Sequence, residues 1–208
     1  MSTTDTTIRD RQIADLDYAT RIAREGAHTP LLGGPIGLLW GVLIAAATLL
    51  QYLILEQVLA VPLYTLGFLW IAFAVVGGLG SWLLGRRIEA APGANSTANR
   101  VEGYVWTLFA AMLGALVAGI LLDQLIGGGG ARLWDFIIPA TFAGQGLAYG
   151  VVAKLSGLRW LHLASFAGFV FGAATVTAVG ENIIYLIASV GAVLTVVLPS
   201  LRTMKAAG

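Results

Sequence analysis

Six stretches of the chain contain no Asp, Glu, Lys or Arg: Ala27 to Leu55, Gln57 to Gly85, Gly103 to Leu122, Phe136 to Ala153, Trp160 to Gly180 and Asn182 to Leu201. A helix rises about 1.5 Å per residue, so roughly 20 residues cross the ~30 Å hydrocarbon layer of a bilayer. Each stretch reaches that length, the fourth with its flanks included. The pattern predicts an all-α integral membrane protein with six transmembrane helices, at residues 35–55, 62–85, 103–124, 134–154, 158–179 and 182–201. The bundle occupies residues 31–203, between an N-terminal segment of residues 1–30 and a tail of residues 204–208. Neither leftover is long enough for a further folded domain of ordinary size.

Turn-forming residues fall between the stretches. Pro62 follows the first outer turn, Gly127 to Gly130 closes the third helix, and Ser156-Gly157 separates the fourth from the fifth. Asn99 with Glu102 three residues on predicts a capping box at the start of the third helix. Pro92, Gly93, Asn95 and Ser96 predict a flexible linker from Ile88 to Val101. Ahead of the bundle, Ile8, Ile13, Leu16, Ala19, Ile22 and Ala23 form one stripe at helical periodicity, with Arg9, Asp10, Asp17, Arg21 and Arg24 mostly elsewhere. Asp5 to Gly26 is therefore expected to be an amphipathic helix on the membrane surface or on the bundle's cytoplasmic end, as a lead-in or as the binding element for a partner.

The basic residues give an orientation. Arg9, Arg11, Arg21, Arg24, Arg86, Arg87, Arg100, Lys154, Arg159, Arg202 and Lys205 fall on one side of a six-span layout and Arg132 alone on the other. Positive residues are retained in the cytoplasm, which predicts both termini there. The Asn95-Ser96-Thr97 sequon then faces the cytoplasm and is inert. The first apolar run follows 26 mixed-charge residues and lacks a small-residue exit site, so it reads as a retained span rather than a cleaved signal.

Composition narrows the classes further. Hydrophobic residues make up 58%, charged residues 11%, and mean hydropathy is +0.84, values that exclude an ordinary soluble enzyme, which is about a quarter charged. No cysteine is present, which excludes thiolate metal sites, iron–sulfur ligation, disulfides and a thiol nucleophile. A net charge of +1 says little in a membrane protein, where the asymmetry of the basic residues carries the information, and no nucleic-acid partner is expected.

Gly37-Leu38-Leu39-Trp40, Gly103-Tyr104-Val105-Trp106 and Gly157-Leu158-Arg159-Trp160 each open an odd-numbered helix, which suggests three parallel helical hairpins. Gly67-Phe68-Leu69-Trp70 has the same spacing at a non-equivalent place, and an inverted three-plus-three repeat is the alternative. Small residues four apart (Gly37 and Gly41, Gly114 and Ala118, Gly146 and Gly150, Ala164 with Gly168 and Gly172) predict close helix packing, within the chain or between copies of it.

Candidate chemistry is sparse. Thr141, Gln145 and Tyr149 make a polar stripe on the fourth helix, and Ser165, Thr175, Tyr185, Ser189 and Thr195 are placed to join it, as a substrate or ion path or as hydrogen bonds between helices. No ionisable residue falls at mid-depth, where proton-coupled transporters ordinarily place one. Glu56, Asp123, Asp135 and Glu181 map to outer helix ends and form a candidate cation site if they converge. His28 and His162 are the only histidines; without a motif they give no case for a haem, and no cofactor or resident metal is expected. Phosphate-loop, nucleophile-elbow and paired-histidine motifs are absent, so an enzyme is not expected.

Arg24 to Gly41, with Glu25-Gly26, Pro30-Leu31-Leu32-Gly33-Gly34 and Trp40-Gly41, resembles a segment of bacterial inner-membrane proteins. The resemblance covers a small part of the chain and implies a location without an activity. The sequence expectation is a non-catalytic membrane partner or accessory protein, working with a membrane or cytoplasmic protein or as a homo-oligomer in the lipid bilayer. The alternative is a small-solute or cation transporter.

Overall fold

The computed structural model describes Ile13, Leu16, Tyr18 and residues 30–127 and 130–207, the side chains of Ala131, Arg132 and Ala207 excepted. Ile13, Leu16 and Tyr18 are helical and exposed; the rest of the predicted surface helix, with His28, lies outside the described residues.

The apolar runs become helices, several of which extend past the runs themselves. We label them α1 (Gly34–Leu55), α2 (Thr65–Glu89), α3 (Thr97–Gly127), α4 (Ile137–Ser156), α5 (Leu161–Val176), α6 (Ile183–Ala192) and α7 (Leu198–Ala207). A 3-10 turn, Ala131–Phe136, leads into α4, and a π-helical turn, Val193–Val197, joins α6 to α7 without breaking the rod. Pro35 sits in the first turn of α1, where its missing N–H costs nothing. The helix stops at Glu56 as Gln57 takes a left-handed conformation (φ 56°), and Gly157 (φ 72°) does the same for α4, in the Ser156-Gly157 turn expected from sequence.

The start of α3 differs from expectation. Its cap is Ser96, whose Oγ accepts from the Asn99 N–H at 3.3 Å, and the helix starts inside the predicted flexible linker. Charge-free stretches mark where lipid is met, not where the helix begins. Asn99 is thus inside the first turn, and it and Glu102 are free to reach another part of the chain.

Contacts alternate between two ends of the bundle. At one end the strap Pro30–Gly33, the last turns of α4, the first of α5 and α7 come together: Leu31, Ala153 and Leu161 are buried in one apolar cluster, and Arg202 stacks on Trp160 at 4.8 Å. At the other, Gly180 donates its N–H to Asp135, Asn182 its amide to Glu56, and Trp70 its indole N–H to Gln51. Among the described residues the chain therefore runs between the two ends six times. Arg100, Lys154, Arg159, Arg202 and Lys205 lie toward the strap end.

Five of the traverses are long and apolar enough to cross a membrane: Gly34–Leu55, Thr65–Glu89, Thr97–Gly127, Leu133–Ser156 and Ile183–Ala206. The sixth, α5, has 16 residues, about 24 Å of helix, because the chain breaks into turns after Val176 where Gly180 bonds Asp135.

α1 lies centrally, packed on α2, α6, the π turn and α7; α4 packs on α3 and, most extensively of all, on α5. The tightest pairing thus crosses between the second and third of the predicted hairpins. The glycine ridges explain it. A Cβ on Gly168 would stand 2.8 Å from the Gly146 Cα, and one on Gly146 2.9 Å from the Ser165 carbonyl oxygen, so the α4 and α5 backbones touch. Gly37 and Gly41 of α1 likewise admit Ser200, Val196 and Val197. Gly114 of α3 has nothing within 4 Å of where its Cβ would be, so no described part of the chain packs on that glycine. α2 and α3 are peripheral and turn broad apolar faces outward, Phe68, Ile71, Leu79, Leu108 and Leu122 among them.

Candidate functional site

The eight polar residues singled out in the sequence are distributed among separate hydrogen bonds. Gln145, 3% exposed, donates from Nε2 to both the carbonyl oxygen and Oγ1 of Thr195, at 2.9 Å each. The reason lies four residues beyond Thr195. In an α-helix the N–H of residue 199 would serve that carbonyl, but Pro199 has none, and the backbone loosens into the π turn. Gln145 supplies the missing donor from another helix. Thr195 in turn donates to the Gly191 carbonyl at 2.8 Å.

Ser165 donates to the Gly146 carbonyl at 2.6 Å, tying α5 to α4, and Ser189 to the Ala45 carbonyl at 2.8 Å, tying α6 to α1. The Tyr149 hydroxyl lies beside the Ser200 side chain, and its ring meets Trp106 edge-on at 5.1 Å. Thr141 and Thr175 bond back to carbonyls of their own helices, Ile137 for the first and Phe171 and Gly172 for the second. Tyr185 leaves the group altogether and joins the outer carboxylates.

Those carboxylates part company. Asp135 is buried, accepting 2.6 Å from the Tyr185 hydroxyl and 3.1 Å from the Gly180 N–H. Gln51 accepts from Trp70 Nε1 at 2.7 Å and lies beside the same Tyr185 hydroxyl, so polar groups follow one another from Trp70 through Gln51, Tyr185 and Asp135 to Gly180, across α2, α1, α6 and the turn before α4. Glu56 holds Asn182 at 3.0 Å, while Asp123 and Glu181 are exposed. The four do not meet at one point, because Asp135 turns inward to its partners. Among the described residues no three His, Cys, Asp or Glu side chains gather where a metal ion would be held, and His162 is exposed.

A second polar cluster forms at the strap end. Asn99 Oδ1 accepts from the Leu32 N–H at 2.9 Å, and Asn99 Nδ2 donates to the carbonyls of Pro30 (3.1 Å) and Gly93 (3.0 Å) and to Ser96 Oγ (3.0 Å). Glu102 Oε2 accepts from the Gly33 N–H at 3.1 Å. Both side chains are buried. A Cβ on Gly33 would fall 2.6 Å from Glu102 Oε1, so a larger residue there would push the carboxylate aside. Asn99 and Glu102 were read from sequence as a capping box and not as a link to the strap, and Ser200 and Gln51 were not singled out. Pro199 four residues after Thr195, and Gln51 inside an apolar run, were the readable signals for two of these contacts.

This architecture defines a class, a multipass helical membrane protein. Compared with known proteins, the chain matches no family model, no curated protein and no solved structure.

Proposed function

We propose that this is a non-catalytic membrane partner or accessory protein, acting through association within the bilayer. The observation that carries this reading is the use made of the interior polar groups. Gln145, Ser165 and Ser189 each cross to a neighbouring helix and bond its backbone, and Thr195 and Tyr185 are held by side chains on other elements. Groups spent in this way fasten helices; a path for solute needs polar groups turned to a water-filled cavity.

The full layout belongs to the same proposal: six membrane crossings, both termini in the cytoplasm, three helical hairpins in sequence and an inner-membrane location in a bacterium. The six-crossing count is supported by α5, which runs antiparallel to α4 from Leu161 beside Ala153 to Gly180 on Asp135, so it covers the depth that α4 covers. The orientation is supported by the Lys/Arg asymmetry.

Single cysteines at Ala94, Val58, Arg159 and Glu181 test the layout. With an impermeant thiol reagent on intact cells, Val58→Cys and Glu181→Cys are expected to label and the other two only after permeabilisation. Labelling of Arg159→Cys and Glu181→Cys from the same side would remove the sixth crossing. For function, a stoichiometric partner is expected to co-purify from native membranes and to be lost when Met1 to Thr20 are deleted. A solute flux in proteoliposomes that Gln145→Leu abolishes, with folding intact, would overturn the association reading in favour of transport.

A further inference from the structure

A groove of about 440 Å³ runs along the outside of the α4–α5 pair, lined by Gly146, Leu147, Gly150, Val151, Lys154, Leu155, Ser165 and Phe169. It follows from the glycine contact already described. Where the two backbones touch, Gly146, Gly150 and Ser165 are too small to fill the seam beside them. Leu147, Val151 and Leu155 of α4 form one wall and Phe169 of α5 the other, and all four are exposed to the surroundings of the bundle. The one charged residue is Lys154, at the end of the groove nearest the strap, and no acidic side chain among the described residues pairs with it.

Length and charge together select an occupant. From Lys154 to Gly146 is eight residues, about 12 Å of helix, close to the ~15 Å that half of a ~30 Å hydrocarbon layer contributes. The groove thus reaches from a membrane boundary almost to mid-depth, apolar throughout, with a cation at the headgroup level. A protein helix would need more room and no cation. A zwitterionic lipid would bring a second positive group to Lys154. We propose that this groove holds one acyl chain of an acidic phospholipid from the leaflet on the Lys154 side, with its phosphate paired to the Lys154 ammonium. Van der Waals contact between the acyl chain and the groove walls holds the chain, and Lys154 supplies the headgroup preference. The inference rests on the membrane class alone and stands apart from the association reading above.

The test uses full-length protein extracted in mild detergent from bilayers containing equal amounts of phosphatidylglycerol and phosphatidylcholine, with retained lipid counted by mass spectrometry. Wild type is expected to keep phosphatidylglycerol several-fold over phosphatidylcholine. Lys154→Gln is expected to bring that ratio near one while still holding lipid. Val151→Phe, which fills the groove from a position that faces outward, is expected to reduce retention of both lipids at an unchanged melting temperature. Arg86→Gln on α2 is the control and is expected to keep the wild-type ratio. Absence of enrichment in wild type would overturn the proposal, as would an unchanged ratio in Lys154→Gln. Equal losses in Lys154→Gln and Arg86→Gln would overturn it too, leaving only diffuse attraction to a basic face.

Discussion

Gln145 gives the Thr195 carbonyl the hydrogen-bond donor that Pro199 lacks. The two positions are 50 residues apart and on different helices, so the bond fixes the register of α4 against the π turn. Replacing Gln145 by Leu is expected to cost about 1 kcal/mol, the scale of a hydrogen bond between membrane helices. In a Pro199→Ala background the helix regains its own donor for that carbonyl, and the same replacement is expected to cost less than half as much. Equal costs in the two backgrounds, read from unfolding in denaturing detergent, would break the link between the proline and the glutamine.

The glycine ridges make a contrast. Gly168→Ala puts a methyl 2.8 Å from backbone that has no rotamer to change, and α4 and α5 have to separate to admit it. Overpacking of this kind costs about 1–3 kcal/mol, and poorer monodispersity with a lower melting temperature is expected. Gly114→Ala on α3 meets nothing within 4 Å and gains helix propensity, so its stability is expected to be unchanged or up to about 1 kcal/mol higher.

Asp135 and Tyr185 are expected to be energetically coupled. Asp135→Asn keeps one acceptor oxygen for two donors, the Tyr185 hydroxyl and the Gly180 N–H. Tyr185→Phe removes the hydroxyl that donates to Asp135. A double-mutant cycle on thermal or detergent-induced unfolding should return about 1–3 kcal/mol of interaction, the range for a hydrogen bond to a charged group. A coupling of zero would mean that the polar chain at this end is not cooperative.

Asn99 closes the strap onto the start of α3. Asn99→Ala removes the acceptor for the Leu32 N–H and the donor to the Pro30 carbonyl, and faster amide exchange at Leu32 is expected, by about tenfold or more. Glu102→Gln keeps an acceptor for the Gly33 N–H and is expected to leave exchange at Gly33 within a few-fold of wild type. Equal effects from the two substitutions would show that burial, not the hydrogen bonds, holds the strap.

Much of the architecture was legible because lipid imposes it: a charge-free run of sufficient length has few conformations open to it other than a helix. Helix ends were less legible. Ser96 and not Asn99 caps α3, since both residue types favour a cap and hydropathy gives no vote between them. The break after Val176 was hidden for a related reason, as Thr177 to Gly180 are as uncharged as the helix before them. The polar residues were visible as a set, but their partners were not. Ser165 and Ser189 bond to backbone carbonyls, which leave no trace in a sequence, and Asp135 looked like an exposed helix end until Tyr185 and Gly180 were seen to enclose it.

The packing of α1 on α7 sets an order of events on the ribosome. Gly37 meets Ser200, so the face of the first span waits for a residue made 163 positions later. At about 5–20 residues per second that is roughly 8–33 s during which the nascent α1 lies in the bilayer without its closest neighbour. Gln51, buried in the finished bundle, already has Trp70 of α2 as a partner during that interval, so it is the glycine face that waits. The last helix is therefore the keystone for the first, and a chain cut short before Ser200 leaves α1 stranded with its glycine face open to any passing helix.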